Sequence, residues 1–139
     1  MARDKGFDDF TSPYLWAPTL DDYVALEAQV LKAYGFACAI TGIAITSSVK
    51  GPDGLFAIVP REHGGPLHVG NYIPMRGDIG RAFGDRHIRI ADDFSLLVDW
   101  AVLTPVILGS VTPRLRLPKD PLYWPDLQLL AMHREGVFG

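Results

Sequence analysis

The stretch GGPLHVGNYIPMRGDIGRAFG, residues 64–84, decides how this chain is expected to fold. It predicts a short strand around Leu67 to Val69, a glycine-bounded loop from Gly70 to Pro74, and a short helix over Gly77 to Phe83 that starts at Asp78. The unpaired N–H groups at the start of such a helix point back toward the end of the strand. This geometry can hold an anionic or carbonyl-bearing ligand.

Two glycines on the predicted helix leave part of its surface bare. Gly80 and Gly84 are four residues apart and therefore share one face, which permits close approach of another backbone or of a ligand. An ordinary tight connection between a strand and a helix explains the same residues equally well. Both interpretations stay open on the sequence alone.

Length and composition predict one compact α+β domain. The chain has 139 residues, 48% of them apolar and 21% charged, which is the ordinary globular range and excludes a disordered tail or a coiled coil. Glycine and proline add 14 + 11 = 25 residues, a supply of turns that argues against an all-helical bundle. The net charge of −3 argues against direct binding of nucleic acid by this chain.

The cysteine content and the apolar runs predict a cytoplasmic protein without a membrane segment. Cys38 is the one cysteine, so no internal disulfide can form, and its apolar neighbours favour an inert buried thiol. The N-terminal ten residues lack the apolar segment of a signal peptide. The longest mostly apolar run, residues 36–45, is about half of the roughly 20 residues that a membrane-spanning helix needs.

The remainder of the chain divides into an extended arm, residues 1–18, and a single domain, residues 19–139. A helix is predicted over Leu20 to Tyr34 from its apolar spacing, with Thr19 as its cap. The β-branched stretch Phe36 to Thr46 predicts a strand that pairs in a hairpin with Leu55 to Val59.

Two more helices are predicted in the second half. Apolar residues recur at helical spacing from Phe94 to Leu103, with a second apolar face that includes Trp100, and this predicts self-association of the chain. The last helix begins after Pro125 with Asp126 at its N-terminus and ends at Gly136.

Several motifs resemble the effector-binding domain of IclR-type transcriptional regulators, which has a GAF-like fold. Gly70 to Met75 resembles the family's turn, residues 77–82 resemble its helix start, and residues 127–138 resemble its helix that ends before an aromatic residue. The resemblance covers roughly residues 19–138. The chain departs from the family in having no helix-turn-helix module before the domain and no second half of the domain after it.

The resemblance implies a GAF-like antiparallel sheet flanked by helices, complete or incomplete, and a transcription-related ligand-binding function. The family pocket carries over to Asn71, Tyr72, Met75, Gly77 and Gly80. Arg76 is the nearest side chain that could add a charge-assisted contact to a small organic acid. No cofactor is expected.

Other reactive residues support weaker hypotheses. His63, His68, His87, His133 and Cys38 lack the close paired spacing of zinc ligands, so no metal site is expected. The stretch with Asp85, His87, Asp92 and Asp93 could supply an acid–base pair, although a solvated loop with a helix cap is favoured. Arg114, Arg116 and Lys119 form a local basic cluster, interpreted as a solvated edge.

Two functions follow from these observations. The first is a non-enzymatic small-molecule-sensing domain that acts through association with itself or with a partner chain. The alternative is a small α+β isomerase or dehydratase with an aspartate or histidine general base in an apolar pocket.

Overall fold

The computed structural model describes residues 20–45, 53–103 and 113–136. The predicted arm over residues 1–18 and the predicted cap at Thr19 lie outside the described residues. The described part has mixed helices and short antiparallel strands, so the α+β fold class is confirmed. In chain order its helices and strands are α1 (Leu20–Ala33), β1 (Gly54–Ala57), β2 (Tyr72–Met75), α2 (Gly77–Gly84), β3 (Ile88–Ile90), β4 (Leu96–Val98) and α3 (Leu127–Glu135).

The three helices form where the sequence predicts them. α1 carries Asp21 and Asp22 in its first turn and Lys32 in its last, which suits the helix dipole. α3 is capped by the Asp126 carboxylate, which accepts from the N–H groups of two residues in the first turn, and it ends at Gly136 in the left-handed conformation. Single-turn 3₁₀ helices precede β2 and α3, at Val69–Asn71 and Pro121–Tyr123, and a third spans Arg61–His63.

The first hairpin differs from the predicted one. β1 pairs antiparallel with β2, with Leu55 opposite Pro74 and Phe56 opposite Ile73. The predicted strand Phe36 to Thr46 is wrong over its described residues, because the backbone turns within it: Gly42, at φ 78°, donates to the Cys38 carbonyl oxygen at 2.8 Å. Only an isolated bridge between Ala37 and Ala44 remains of that strand.

The second hairpin replaces a predicted helix. β3 pairs with β4, with Arg89 opposite Leu97, and Phe94 adopts φ 66° in the connection between the strands. The helix predicted over Phe94 to Leu103 is therefore wrong. The apolar residues of this region lie on both faces of the short strand β4 and in the turn after it. The region therefore provides no apolar helix face through which the chain could associate with itself. Self-association itself stays a prediction.

Irregular backbone segments join the two hairpins, which form two separate two-stranded sheets in the described part of the chain. Ala39 donates to the Pro74 carbonyl oxygen of β2 at 2.9 Å, and Arg116 donates to the Ala39 carbonyl oxygen at 2.8 Å. Leu115 donates to the Phe94 carbonyl oxygen at 2.9 Å, next to β4. A ladder of main-chain bonds thus runs from one hairpin to the other.

The core lies between these hairpins and the helices. Its fully buried residues include Val30 of α1, Ile73 of β2, Phe83 of α2, Ile88 of β3 and Leu130 of α3, one from each main element around it. Within the described residues, no helix is long and apolar enough to cross a membrane.

Candidate functional site

Asn71, the first of the predicted ligand-binding residues, holds a loop together. Its side chain is fully buried, its Oδ1 accepts from the Val59 N–H at 2.9 Å, and its Nδ2 donates to the carbonyl oxygens of Val59 and Pro66, both at 3.0 Å. These three bonds fasten both ends of the loop between β1 and β2. The neighbouring Gly65 has no room for a side chain, since a Cβ there would overlap the Val59 carbonyl oxygen. The amide of Asn71 is therefore engaged inside the protein.

The N-terminus of α2, the predicted anion site, is already occupied by carboxylates of the chain. The Gly77 N–H donates to Asp53 Oδ1 at 2.8 Å, and the Ile79 N–H donates to Asp78 Oδ1 at 2.8 Å. Arg76, the predicted charged contact, binds Asp78 through its Nη2 at 2.8 Å. An anionic ligand at this helix end would have to displace two negatively charged groups.

The glycine face of α2 is covered by a side chain at Gly80 and open at Gly84. A Cβ at Gly80 would overlap the ring of Phe56 from β1, which lies directly against the helix at this point. Gly84 has open space instead. The expectation of a bare face is thus wrong at Gly80, where the close approach that the glycine permits is made by an aromatic side chain.

The remaining predicted site residues lie in the core. Tyr72 and Met75 are buried on β2, and burial raises the pKa of the Tyr72 hydroxyl above its usual value. The structure places all six predicted residues next to one another, from the end of the 3₁₀ helix before β2 to the first turn of α2, but packs them as a structural unit. Their use as a ligand site stays a prediction.

The predicted acid–base residues are separated from one another. His87 Nδ1 faces Asp99 Oδ2 at 3.6 Å, Asp92 binds Arg134, and Asp93 accepts from the hydroxyl and the N–H of Ser95. The bonds from Ser95 lower the pKa of the Asp93 carboxyl. Cys38 is buried, as expected. Among the described residues, no group of three or more histidine, cysteine, aspartate or glutamate side chains is placed to hold a metal ion.

The predicted basic cluster also separates. Arg114 donates to the Asp93 carbonyl oxygen at 2.6 Å, while the Arg116 guanidinium lies beside Gly42. Lys119 lies elsewhere, at the rim of an open groove of about 710 Å³ between the C-terminal part of α1 and residues 117–123. The charged and polar residues that line the groove are Gln29, Lys32, Tyr34, Lys119, Asp120 and Tyr123, and burial raises the pKa of the Tyr34 hydroxyl.

A different set of arginines, distant in sequence, meets beside the C-terminal end of α3. Arg134 donates to the Ile90 carbonyl oxygen at 2.7 Å and to Asp92 Oδ1 at 3.0 Å. Arg86 adopts φ 63° and lies against Gly136, where an added Cβ would come within 2.7 Å of its Nη1. We call Arg86, Arg89 and Arg134 the arginine face.

Arg89 belongs to this face through its position on β3. Its strand neighbours Ile88 and Ile90 are buried, so Arg89 lies on the opposite side of the strand, away from the core. Its Nε is buried and has no hydrogen-bond partner in the described part of the chain.

His133 lies within electrostatic reach of all three members of the arginine face. The imidazole is buried, stacks on Phe83 with ring centroids 3.9 Å apart, and donates from Nε2 to the Phe83 carbonyl oxygen at 2.7 Å. Burial lowers the pKa of His133, and the positive charges of Arg86, Arg89 and Arg134 lower it further against the effect of that bond. The sequence contains no local signal for this cluster, because tertiary packing assembles it from β3 and the ends of α2 and α3.

Comparison with known proteins shows a related fold. No protein-family model and no curated protein matches the chain in sequence, so the resemblance to IclR-type regulators stays a prediction. Among solved structures, the fold is similar to one described as a modification dependent TagI restriction endonuclease, with a TM-score of 0.61 and 24% identity. The likeness covers 81% of this chain and 37% of that chain, so the present sequence spans little more than a third of its neighbour.

Proposed function

We propose that this chain is a nucleic-acid-binding domain of the restriction-endonuclease type. The observation that carries the proposal is the fold likeness over 81% of the chain to a protein described as a modification dependent restriction endonuclease. Such an enzyme must contact DNA, and a module with its fold is suited to the same kind of partner. The proposal departs from the expectation based on the net charge of −3, because that charge describes the whole chain and not one surface of it. The chain spans 37% of that neighbour, so the proposal concerns one module of such an enzyme and leaves its complete activity aside.

The proposal covers binding and not catalysis, because the side chains beside β2 and α2 already contact partners within the protein. Asn71 fastens the loop between β1 and β2, Asp53 caps α2, and Phe56 fills the space at Gly80. The His87 and Asp92 side chains face different partners. The arginine face, in contrast, offers charge to an external anion.

Fluorescence anisotropy with labelled oligonucleotides tests this proposal. We expect the full chain to bind DNA with micromolar affinity at low salt, and the affinity to fall as salt rises, because phosphate contacts release counterions. Oligonucleotides with and without methylated bases are compared in the same titration. Unlabelled polyglutamate of equal charge is the matched competitor: if it displaces the DNA at equal charge concentration, or if no binding occurs at 50 mM salt (a low-screening condition), the proposal is wrong.

The groove beside α1 favours a second candidate function, the binding of a small organic acid. Its volume of about 710 Å³ is in the range of small-molecule sites, and Lys32 and Lys119 give its lining two cations against one carboxylate, that of Asp120. This second candidate keeps the small-molecule-sensing function but places the ligand in the groove beside α1 instead of at Gly70–Gly80. Cytoplasmic location and association with a second copy or a partner chain belong to the same proposal.

A thermal-shift screen of small organic acids distinguishes the groove beside α1 from the start of α2 as the binding site. For any acid that stabilises the wild type, Lys32→Gln and Lys119→Gln should reduce the shift, while Arg76→Gln should leave it unchanged. The opposite pattern would return the site to the start of α2. An absence of any shift at millimolar concentration would remove this second function.

A further inference from the structure

We propose that the β3–β4 hairpin and the end of α3 bind single-stranded nucleic acid, with the arginine face on the phosphates and Trp100 stacked on a base. The inference rests on the proposed function and names the surface and the form of nucleic acid. It follows from three features: the arginines that converge there, the register of the hairpin, and an exposed aromatic ring at one end of it.

The first feature is that two of the three arginines, Arg86 and Arg89, have no carboxylate partner among the described residues, although Asp85 and Asp99 lie at one end of the same hairpin. Of the three arginines, Arg134 has a carboxylate partner, Asp92, at 3.0 Å. The Arg89 Nε is buried without an acceptor in the described residues, so a phosphate outside the protein can reach only the terminal nitrogens of that guanidinium. A phosphate oxygen is an acceptor of the kind that a guanidinium binds best, because two parallel hydrogen bonds can form.

The second feature is the register of the hairpin, which brings Trp100 to the same end as Arg86. Ile88 lies opposite Val98, and the next position outward joins His87 to Asp99: the Asp99 N–H donates to the His87 carbonyl oxygen at 2.8 Å. One residue further out, Arg86 and Trp100 occupy the corresponding positions at this end of the hairpin. Two acidic residues lie at this end as well: Asp85 directly precedes Arg86 in the chain, and the Asp99 carboxylate is 3.6 Å from the His87 imidazole.

The third feature is the exposure of an aromatic ring. Trp100 is 62% exposed, and Leu97, opposite Arg89, is also exposed on this hairpin. An aromatic ring beside a track of arginines is the arrangement that holds single strands, since unpaired bases stack on the ring while the backbone follows the charge. Bases in an intact duplex are already stacked on one another and are not available to this ring.

The test compares a labelled single-stranded 20-mer with the duplex of the same sequence on the full chain. We expect tighter binding of the single strand. Arg89→Gln should weaken it about tenfold, in line with the loss of a hydrogen bond to a charged group, and Trp100→Ala should weaken it roughly fivefold or more. Matched controls are Arg61→Gln and Leu122→Ala, which remove an exposed arginine and an exposed apolar side chain elsewhere and should leave affinity unchanged.

Trp100 provides a second readout that does not depend on affinity. Its fluorescence should be quenched when the single strand binds, and Trp100→Phe should retain most of the affinity while losing that part of the signal. Circular dichroism of each variant checks that the fold is intact. If the chain binds DNA but prefers duplex, or if Arg89→Gln and Trp100→Ala bind like the controls, this inference is wrong while the proposed function stands. If the wild type binds neither form, both are wrong.

Discussion

The two hairpins have strands of similar length but differ in how deeply those strands are buried. β2 is buried at all four positions, and the polar groups around it are bonded inside the protein. β4 is exposed or half-exposed at all three positions, and its partner strand β3 carries Arg89 on the side away from the core. The first hairpin is therefore mostly buried, whereas the second contributes Ile88 and Ile90 to the core and leaves its other side open, where we propose that a partner binds. Residue types that suggested a ligand site in the first are explained by packing.

The largest effect is expected from Asn71→Ala. The substitution leaves the Val59 N–H and the carbonyl oxygens of Val59 and Pro66 without their partner in a buried region. Each such group costs about 1–3 kcal/mol, so the free energy of unfolding should fall by about 3 kcal/mol or more. Urea denaturation measures the loss. His68→Ala, which removes one bond to the Gly70 N–H on the surface of the same loop, should cost about 1 kcal/mol or less.

Gly80→Ala tests the covered face of α2. The new Cβ overlaps the Phe56 ring, so we expect a loss of about 1–3 kcal/mol, as for other overpacked sites. Gly84→Ala, in open space on the same helix, should be neutral or slightly stabilising. The double variant Phe56→Ala and Gly80→Ala should lose less than the sum of the two single changes, because the clash no longer exists. Full additivity would contradict the proposed contact.

His133 should make the stability of the fold depend on pH. Its folded pKa is lowered, chiefly by burial, so the neutral form is favoured in the folded protein while the unfolded chain takes up a proton near pH 6.5. Stability is then complete above about pH 6.5 and falls as the pH drops from there through the lowered pKa, by at most about 1.4 kcal/mol per pH unit for one proton.

Denaturation at pH 7.5 and pH 5.5 measures this effect. His133→Gln keeps a donor for the Phe83 carbonyl oxygen and removes the titrating ring, so the difference between the two pH values should shrink. Equal pH dependence in wild type and His133→Gln would show that other groups cause it.

The smallest effect is expected at Asp53, which links the start of the first hairpin to α2. Asp53→Ala removes the acceptor of the Gly77 N–H and should cost about 1 kcal/mol, the usual cost of losing a helix cap. Asp53→Asn retains an acceptor oxygen and should cost less. Thermal unfolding of the two variants resolves the contribution of the hydrogen bond from that of the charge.

The helices could be predicted from the sequence because their signals are local. α3, for example, is preceded by Asp126 and ended by Gly136, and both residues act as predicted. The strands were harder to predict, since β1 and β2 are separated by a long loop that Asn71 closes. The run after Phe94 contains so many apolar residues that some of them fall at helical spacing in any case. This spacing led to the wrong helix prediction. The alternation Ile88-Arg89-Ile90 was the overlooked signal of a half-exposed strand.

The candidate site could be predicted only in part, for a related reason. Arg76, Gly77 and Gly80 are indeed at the start of a helix, but their partners Asp53 and Phe56 come from another element, and no local pattern shows this. The arginine face depends even more on tertiary structure. Arg86 and Arg134 become neighbours of Gly136 and Ile90 only when α3 packs against β3.

The main-chain ladder between the hairpins has a consequence for the order of folding. Ala39 and Arg116 are far apart in the sequence, so their bond can form only after a long loop has closed, and the entropy of that closure is lost before any contact compensates it. Each hairpin with its adjacent helix can assemble before this happens. In native-state hydrogen exchange, the amides of Ala39, Leu115 and Arg116 then report on the docking of two cooperative units, separately from the unfolding of either one.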